Sequence, residues 1–132
     1  MRDTIKKHND FLMRDDDPSA RSAYFFVRAK RARFADNPRV GFTATKRTFR
    51  LAVERNRAKR QMRDWVRHHS GLMANMFDYV FIARPQILGA TRTDGRTAME
   101  KALRYIIHTY VPKEDAPKKF FKKKKNKNVK NS

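Results

Sequence analysis

The chain has 132 residues, room for one domain of ordinary size, and a formal net charge of +20. It contains no cysteine, so disulfides and thiolate metal sites are excluded. No apolar run approaches the length of a bilayer span or resembles a signal peptide, and the default location is cytoplasmic. Charge of this size favours association with nucleic acid or an anionic membrane surface. The membrane is disfavoured because the apolar side of the basic helix at residues 51–69 includes a Trp and suggests an internal core partner, so we expect no membrane partner.

The positive charge is not confined to the C-terminal tail. Residues 118–130 hold eight lysines and no acid, and without them a net charge of +12 remains on residues 1–117. The tail has too little apolar content to fold. We therefore expect a single domain at residues 1–112 and a disordered segment at residues 113–132.

The first half of the chain predicts one helix and two strands. Residues 5–13 fit a short helix, which the Asp-rich turn before Pro18 ends. Residues 23–29 are aromatic and β-branched, as in a strand, and their alternation places Tyr24, Phe26 and Arg28 on one face. Residues 39–45 predict a second strand, antiparallel to the first in a hairpin.

Residues 51–69 form the most distinctive stretch, a basic amphipathic helix. Its apolar side consists of Leu51, Ala58, Met62, Trp65 and Val66. An adjoining arc carries Arg55, Asn56, Lys59, Arg60, Arg63 and Arg67. One side of the helix can therefore pack on a core while the other presents cations, and Ser70 with Gly71 should end it.

A buried strand and a last helix follow. Residues 79–83 are continuously apolar, as in a strand buried on both faces, and residues 89–95 predict a loop. Thr97 and Glu100 match a capping box, so the last helix should begin there and end at Pro112. The order of elements predicts an α+β two-layer sandwich, a small mixed sheet with helices, with a parallel strand pairing possible across the basic helix.

No catalytic constellation is present. None of the four histidines has the spacing of a zinc site. Consecutive carboxylates such as those of residues 15–17 are most often solvated side chains in a turn.

The basic arc of the helix, in contrast, points to a binding function. Residues 55–67 contain six Arg or Lys and a single acid, too few acids for a helix face stabilised by ion pairs. Phosphate contacts would relieve this repulsion, and Tyr24 and Phe26 are either core residues or a stacking surface for unpaired bases.

The motif around this helix carries a family resemblance. Residues 54–63 read ERNRAKRQMR, and this motif follows a strand that contains Val40 and Gly41 and precedes Lys46. The pattern resembles the protein subunit of bacterial ribonuclease P over residues 5–110. The resemblance implies a fold like the second domain of a small-subunit ribosomal protein, with a left-handed crossover that carries the basic helix.

The resemblance also implies a function. In this family a catalytic RNA removes the 5′ leader from precursor tRNA, the RNA holds the Mg²⁺ ions, and the protein has no catalytic side chain. The helix binds the RNA subunit, and a cleft of the sheet binds the leader. Matching positions for the RNA subunit are Lys46, Arg47, Arg55, Asn56, Arg57, Lys59, Arg60, Arg63 and Arg67. Phe11 matches an aromatic residue of the leader cleft, which Tyr24, Phe26 and Arg28 would complete.

Two positions depart from the family pattern. Asp15 and Arg28 stand where family members often have aromatic residues.

Two other functions are alternatives to the one that this resemblance implies. A structural rRNA-binding protein would share the fold class and the charge but would lack the leader cleft. An independent metal-dependent nuclease would need the clustered carboxylates that the sequence lacks.

Overall fold

The computed structural model describes residues 3–4, 17–34 and 38–120, so the helix predicted at residues 5–13 lies outside the described part. Within that part the elements, in chain order, are β1 (Asp3–Thr4), β2 (Ser19–Arg21), β3 (Phe25–Arg31), β4 (Arg39–Thr43), α1 (Ala52–His68), β5 (Phe77–Ala83) and α2 (Arg92–Tyr110). Short 3-10 turns occupy Ser70–Leu72, Pro85–Gly89 and Lys113–Asp115.

The strands form one mixed sheet in the order β1-β4-β5-β3-β2. The central strand, β5, pairs antiparallel with β3 and parallel with β4, and the chain between β4 and β5 contains α1. This arrangement confirms the predicted α+β class and the parallel pairing across the basic helix. The left hand of that crossover stays a prediction.

The predicted hairpin is wrong, because β3 and β4 do not pair with each other. Phe81 of β5 is the neighbour of both Val27 on β3 and Phe42 on β4. Six of the seven β5 residues are buried, whereas β3 alternates and leaves Arg28 exposed. The most continuously apolar strand takes the centre of the sheet, where both of its faces are covered, although this separates two strands that are adjacent in sequence.

One face of the sheet packs against both helices. The core there contains Phe25, Val27 and Phe81 from the sheet together with Met62 and Trp65 from α1, all at most 1% exposed. The helical period of α2 predicts six apolar positions that face the core: Met99, Ala102, Leu103, Ile106, Ile107 and Tyr110. The first five are buried, but Tyr110, in the last turn, is 39% exposed. This packing fixes the rotation of α1 and therefore decides which of its side chains face outward.

The N-cap of the last helix lies six residues before the predicted capping box. Thr91 is its N-cap, and the Oγ1 atom of Thr91 accepts a hydrogen bond from the backbone N–H of Asp94 at 3.1 Å. Residues 92–95 are therefore helical, including Gly95. A Cβ atom at Gly95 would lie 2.0 Å from Cε2 of Trp65, so the absence of a side chain lets α2 approach the indole of α1.

The ends of the two helices differ from prediction in two further places. Leu51, assigned to the apolar side, is the N-cap residue of α1 and is 57% exposed, because it precedes the first turn that packs on the core. Residues 113–120, assigned to the tail, contact the domain instead. Phe120 packs against the core, its carbonyl accepts a 3.0 Å hydrogen bond from Nη1 of Arg104, and its ring lies under the Arg104 guanidinium.

Candidate nucleic-acid interface

The outward side of α1 carries a cationic strip, which we define as Arg55, Asn56, Arg57, Lys59, Arg60, Arg63 and Arg67. Five of these side chains are exposed, and Arg55 and Lys59 are half-buried. The strip exists because Ala58, Met62, Trp65 and Val66 bury the other side of the helix. The seven predicted helix residues therefore occupy the part of the α1 surface that the core leaves accessible.

The acid within the strip's span does not neutralise the strip. Asp64 forms a bidentate ion pair with Arg96 of α2, with N–O distances of 3.1 and 3.3 Å. Both side chains are more than one-quarter exposed, so this pair contributes at most about 1 kcal/mol to stability. Its consequence for the surface is larger, since the carboxylate faces a cation of the neighbouring helix and leaves the α1 cations uncompensated.

Two members of the strip also contact the fold. Nη1 of Arg55 donates hydrogen bonds to the carbonyl oxygens of Phe49 at 2.9 Å and Arg50 at 3.1 Å, which ties the start of α1 to the preceding loop. The guanidinium of Arg63 lies 5.4 Å from the ring centre of Phe42 on β4. Arg55 therefore has a structural role that its position in the motif did not reveal.

Lys46 and Arg47 extend the cationic surface beyond the helix. Both are exposed in the turn that connects β4 to the loop before α1. The Oγ1 atom of Thr45 accepts a hydrogen bond from the backbone N–H of Thr48 at 3.2 Å, and this closes the turn. The turn holds the backbone of the two basic residues while their side chains stay in solvent.

The second predicted site lies in a cleft of about 900 Å³ at the β2 edge of the sheet, which we call the edge cleft. Tyr24, Phe26 and Arg28 all line it. Successive side chains of a strand point to opposite faces of the sheet. Phe25 and Val27 belong to the core under the helices, so Phe26 and Arg28 point to the other face. Phe11, the fourth predicted member, lies outside the described residues.

Two guanidinium groups lie close to the ring of Phe26. Its ring centre lies 5.6 Å from Cζ of Arg21 on β2 and 5.0 Å from Cζ of Arg84, which follows β5. Nη1 of Arg84 also donates a 2.8 Å hydrogen bond to the carbonyl of Ser22, so its position is fixed. An aromatic ring that has cationic side chains nearby can stack on a base while those side chains bind the phosphate groups.

Tyr24 does not share the environment of Phe26. Its ring is half-buried and lies 6.0 Å from the ring of Trp65 on α1, so the bend before β3 turns it toward the helices. The expectation that Tyr24, Phe26 and Arg28 occupy one face therefore holds only for the latter two. Tyr24 lines the edge cleft from the helix side.

Several cleft residues were not singled out from the sequence. Arg21 and Arg84 flank Phe26, and Lys101 and Tyr105 of α2 line the far wall of the cleft. The period of α2 could have indicated that Lys101 and Tyr105 share its outer side, four residues apart. Nothing in the sequence indicated that this side would meet β2.

The histidine pair at the end of α1 has a perturbed member. Burial against α2 lowers the pKa of His69 below its ordinary value of 6.5, and the neighbouring charge of His68 lowers the pKa further. The nearby Glu100 carboxylate acts in the opposite direction but more weakly. His69 is therefore held in its neutral form near pH 7, and it does not add to the cationic strip.

The described residues show neither a metal cluster nor a membrane helix. No group of three or more His, Cys, Asp or Glu side chains in that part of the chain could hold a metal ion. No helix there is long and apolar enough to cross a membrane. What the described surface offers is a dense array of cations on one helix and a second, aromatic cleft at the sheet edge.

The fold and these two surfaces define a basic RNA-binding protein of the α+β class. A family model described as Ribonuclease P matches residues 2–107, most of the chain. The chain therefore belongs to the ribonuclease P protein family. This membership confirms the resemblance drawn from the motif and favours it over a structural rRNA-binding protein.

Individual relatives agree with the family model. A ribonuclease P protein component of Brucella suis is 37% identical over 95 residues, which cover 65% of this chain and 67% of the relative. Its counterpart in Caulobacter vibrioides is 46% identical over 83 residues, covering 61% of this chain and 54% of the relative.

Solved structures share the fold. The RNase P protein of Staphylococcus aureus superimposes with a TM-score of 0.62 at 25% identity, covering 77% of this chain and 93% of that protein. The RNase P protein of Thermotoga maritima gives a TM-score of 0.62 at 22% identity, covering 76% and 94%. The second likeness concerns the fold alone.

Proposed function

We propose that this chain is the protein subunit of ribonuclease P, which assists a catalytic RNA in removing the 5′ leader from precursor tRNA. The cationic strip of α1 binds the RNA subunit, and the edge cleft binds the leader. The observation that carries the proposal is the exposed strip itself, whose neighbouring acid, Asp64, is paired with Arg96 on another helix. Family membership supports the identity of the RNA partner.

The strip acts through phosphate neutralisation. Arg57, Arg60 and Arg67 are exposed on the helix, and Lys46 and Arg47 add charge from the adjoining turn. Each cation that contacts a phosphate releases a condensed counterion, which supplies much of the binding free energy. Asn56, exposed within the strip, can donate and accept hydrogen bonds and therefore suits a 2′-hydroxyl group.

The edge cleft acts through stacking as well as charge. Phe26 presents a ring with two arginines beside it, and Arg28 is exposed two residues further along β3. Unpaired bases stack on aromatic and guanidinium planes without strong sequence preference, as leader recognition requires. Phe11 is proposed as an additional member by its place in the family pattern.

The protein takes part in Mg²⁺ chemistry through electrostatics. When bound by the partner RNA, Mg²⁺ supplies an activated water and stabilises charge at the scissile phosphate. The cations of the strip reduce repulsion between phosphates of the RNA subunit and its substrate, so the assembled particle needs less Mg²⁺. We place this activity in the cytoplasm, where precursor tRNA is processed in bacteria.

Reconstitution tests the proposal directly. A bacterial ribonuclease P RNA is assayed for leader cleavage at low Mg²⁺ with and without the protein, and the protein should raise the rate. The Arg57→Ala/Arg60→Ala variant should weaken binding of the RNA subunit, because two exposed cations leave the strip. If the wild-type protein leaves cleavage unchanged, the proposed function is wrong.

The matched control removes the same charge elsewhere. Lys113 and Lys118 are exposed in the segment after α2 and do not belong to the strip, and Lys113→Ala/Lys118→Ala lowers the net charge by the same two units. This control should assemble nearly as well as the wild type. Equal losses in the two variants would show that net charge, not the strip, directs assembly.

A second assay separates the edge cleft from the strip. Phe26→Ala and Arg28→Ala should weaken binding of precursor tRNA to the assembled particle, while binding of mature tRNA and of the RNA subunit stays near the wild-type level. Arg28 is exposed, so its removal should not disturb the fold. A parallel loss of affinity for mature tRNA would contradict leader binding in this cleft.

A further inference from the structure

The outer side of α2 exposes two tyrosine rings that the proposed contacts leave unused. Tyr105 is 52% exposed and Tyr110 is 39% exposed, although the inner side of the same helix is fully buried. Their ring centres lie 6.5 Å apart with an interplanar angle of 75°, so they support each other as an edge-to-face pair. Single exposed aromatics are common on protein surfaces, but these two rings lie next to each other on one helix. Because their planes are nearly perpendicular, each ring offers its own face, on which one base can stack.

This pair lies on the same cleft as Phe26 and Arg28. Both tyrosines line the edge cleft from α2, whereas Phe26 and Arg28 line it from the other face of the sheet. The element between the two walls is β2, an edge strand of only three residues. The cleft therefore continues around the sheet edge, from the face opposite the helices to the outer side of α2.

The charges along this path favour a polyanion. Arg21 and Arg28 lie on the sheet side, and Lys101 lies on α2 one turn before Tyr105. Asp94 is the acidic member of the described lining, so cations exceed acids by three to one. Aromatic rings interleaved with Arg and Lys are the combination that single-stranded nucleic acid requires, because bases stack while phosphates are neutralised.

We propose that Tyr105, Tyr110 and Lys101 form a distal leader subsite. Leader nucleotides beyond those bound at Phe26 and Arg28 pass around the β2 edge, stack on the tyrosine pair and place a phosphate near Lys101. The inference rests on the proposed function, since it assigns an additional part of the same leader to the same cleft. It predicts that long leaders bind more tightly than short ones because of α2.

A series of precursor tRNAs that differ only in leader length tests this subsite. Dissociation constants for the assembled particle are measured with a leader trimmed to about two nucleotides and with one of about ten, within the range of single-strand binding sites. Tyr105→Ala should weaken binding of the long leader at least about fivefold, the low end for loss of one stacked base. The dissociation constant for the short leader should stay within about twofold of the wild-type value, a small change on the free-energy scale.

Two variants show whether the ring itself is responsible. Tyr105→Phe keeps the stacking surface and should bind the long leader as the wild type does. His108→Ala removes another exposed ring from α2 that does not line the cleft, and it should have no effect. Thermal unfolding of each variant checks that the fold is intact, as expected for a residue that is half exposed.

The outcomes distinguish the subsite from the proposed function. An equal effect of Tyr105→Ala on long and short leaders, or no effect on either, overturns the distal subsite. If leader affinity depends on length in that variant as strongly as in the wild type, the subsite is wrong while leader binding by the cleft stands. If the wild-type particle does not distinguish precursor from mature tRNA, the proposed leader site itself fails.

Discussion

The cationic strip and the edge cleft are two surfaces built on different principles. The strip belongs to one helix, and its exposed members are nearly all cationic. The edge cleft is assembled from β2, β3 and α2, and it mixes aromatic rings, cations and Asp94. The strip can hold any ordered phosphate array by charge, whereas the cleft requires unpaired bases that can stack. Under the proposed function, one molecule thus offers separate surfaces for a folded RNA and for a single strand.

The two surfaces meet at one structural joint. Trp65 of α1 lies against Gly95 of α2 and 6.0 Å from the ring of Tyr24, which lines the edge cleft. The indole is 1% exposed and therefore cannot move aside into solvent. A substitution at this joint should affect both surfaces, whereas a substitution confined to the strip or to the cleft should affect that surface alone.

The largest expected effect comes from Gly95→Ala. The new Cβ would lie 2.0 Å from Cε2 of Trp65, so the helices must separate or the indole must shift. We expect a loss of about 1–3 kcal/mol in the free energy of unfolding, the usual cost of overpacking a core. Chemical denaturation measures this loss, and RNA-subunit binding and leader binding should weaken together near the lowered melting temperature.

A second glycine provides the control for this prediction. No atom lies within 4 Å of a Cβ built at Gly89, and its φ is not positive. Gly89→Ala should therefore be neutral or should stabilise the protein by about 0.4–1 kcal/mol, through lower entropy of the unfolded chain. Similar losses at both positions would argue against a special contact between Gly95 and Trp65.

Salt dependence should separate the two surfaces. Arg57→Ala/Arg60→Ala should reduce the slope of log K against log salt for RNA-subunit binding by roughly 1.4–1.8, if each arginine contacts one phosphate. Tyr105→Ala should lower leader affinity without changing the slope for leader binding, since it removes no charge. Equal slopes in the wild type and the arginine variant would contradict phosphate contacts by the strip.

A smaller effect should separate roles within the strip. Arg55→Lys keeps the charge but loses the two hydrogen bonds to the carbonyls of Phe49 and Arg50. We expect a loss of roughly 1–2 kcal/mol in unfolding free energy, typical of hydrogen bonds made by charged groups. Arg57→Lys is the control, because Arg57 is exposed and its replacement should stay within about 0.5 kcal/mol.

The smallest effect concerns pH. Because the pKa of His69 is lowered in the fold, the unfolded chain binds the proton more readily, and the contribution of His69 to stability is lost as pH falls below 6.5. His69→Gln should therefore lose less stability than the wild type between pH 7.5 and pH 5.5, a range about one unit to either side of the histidine pKa. An NMR titration of His69 should give a midpoint below 6.5, and His68→Gln should raise that midpoint.

The sequence predicted local features accurately where a period or a motif carried them. Ala58, Met62, Trp65 and Val66 recur at helical spacing and are buried as expected. The sequence pattern also predicted that the strip lies outside this buried side of α1, and the motif indicated the family of the chain. Each of these features depends on residues within a few turns of one another, so no knowledge of distant contacts is needed.

Features that depend on distant pairing were not predictable in the same way. The hairpin prediction failed because β5, far along the chain, inserts between β3 and β4. Asp78 lies in that strand at 0% exposure, and Arg39 on β4 makes the burial possible through a 3.2 Å ion pair. The residues around Asp78 in the sequence do not indicate that its ion-pair partner is Arg39, which is 39 residues away.

The cationic helix, the buried strand and the family could all be recognised from the sequence, because composition, helical period and a compact motif are local properties of the chain. How these elements form two surfaces depends on the tertiary structure. In the folded chain, Arg55 donates a hydrogen bond to the preceding loop and Asp64 forms an ion pair with Arg96. Tyr105 lines the same cleft as Phe26. Each of these outcomes follows from packing of α1 and α2 on one sheet, and packing depends on contacts between residues far apart in sequence.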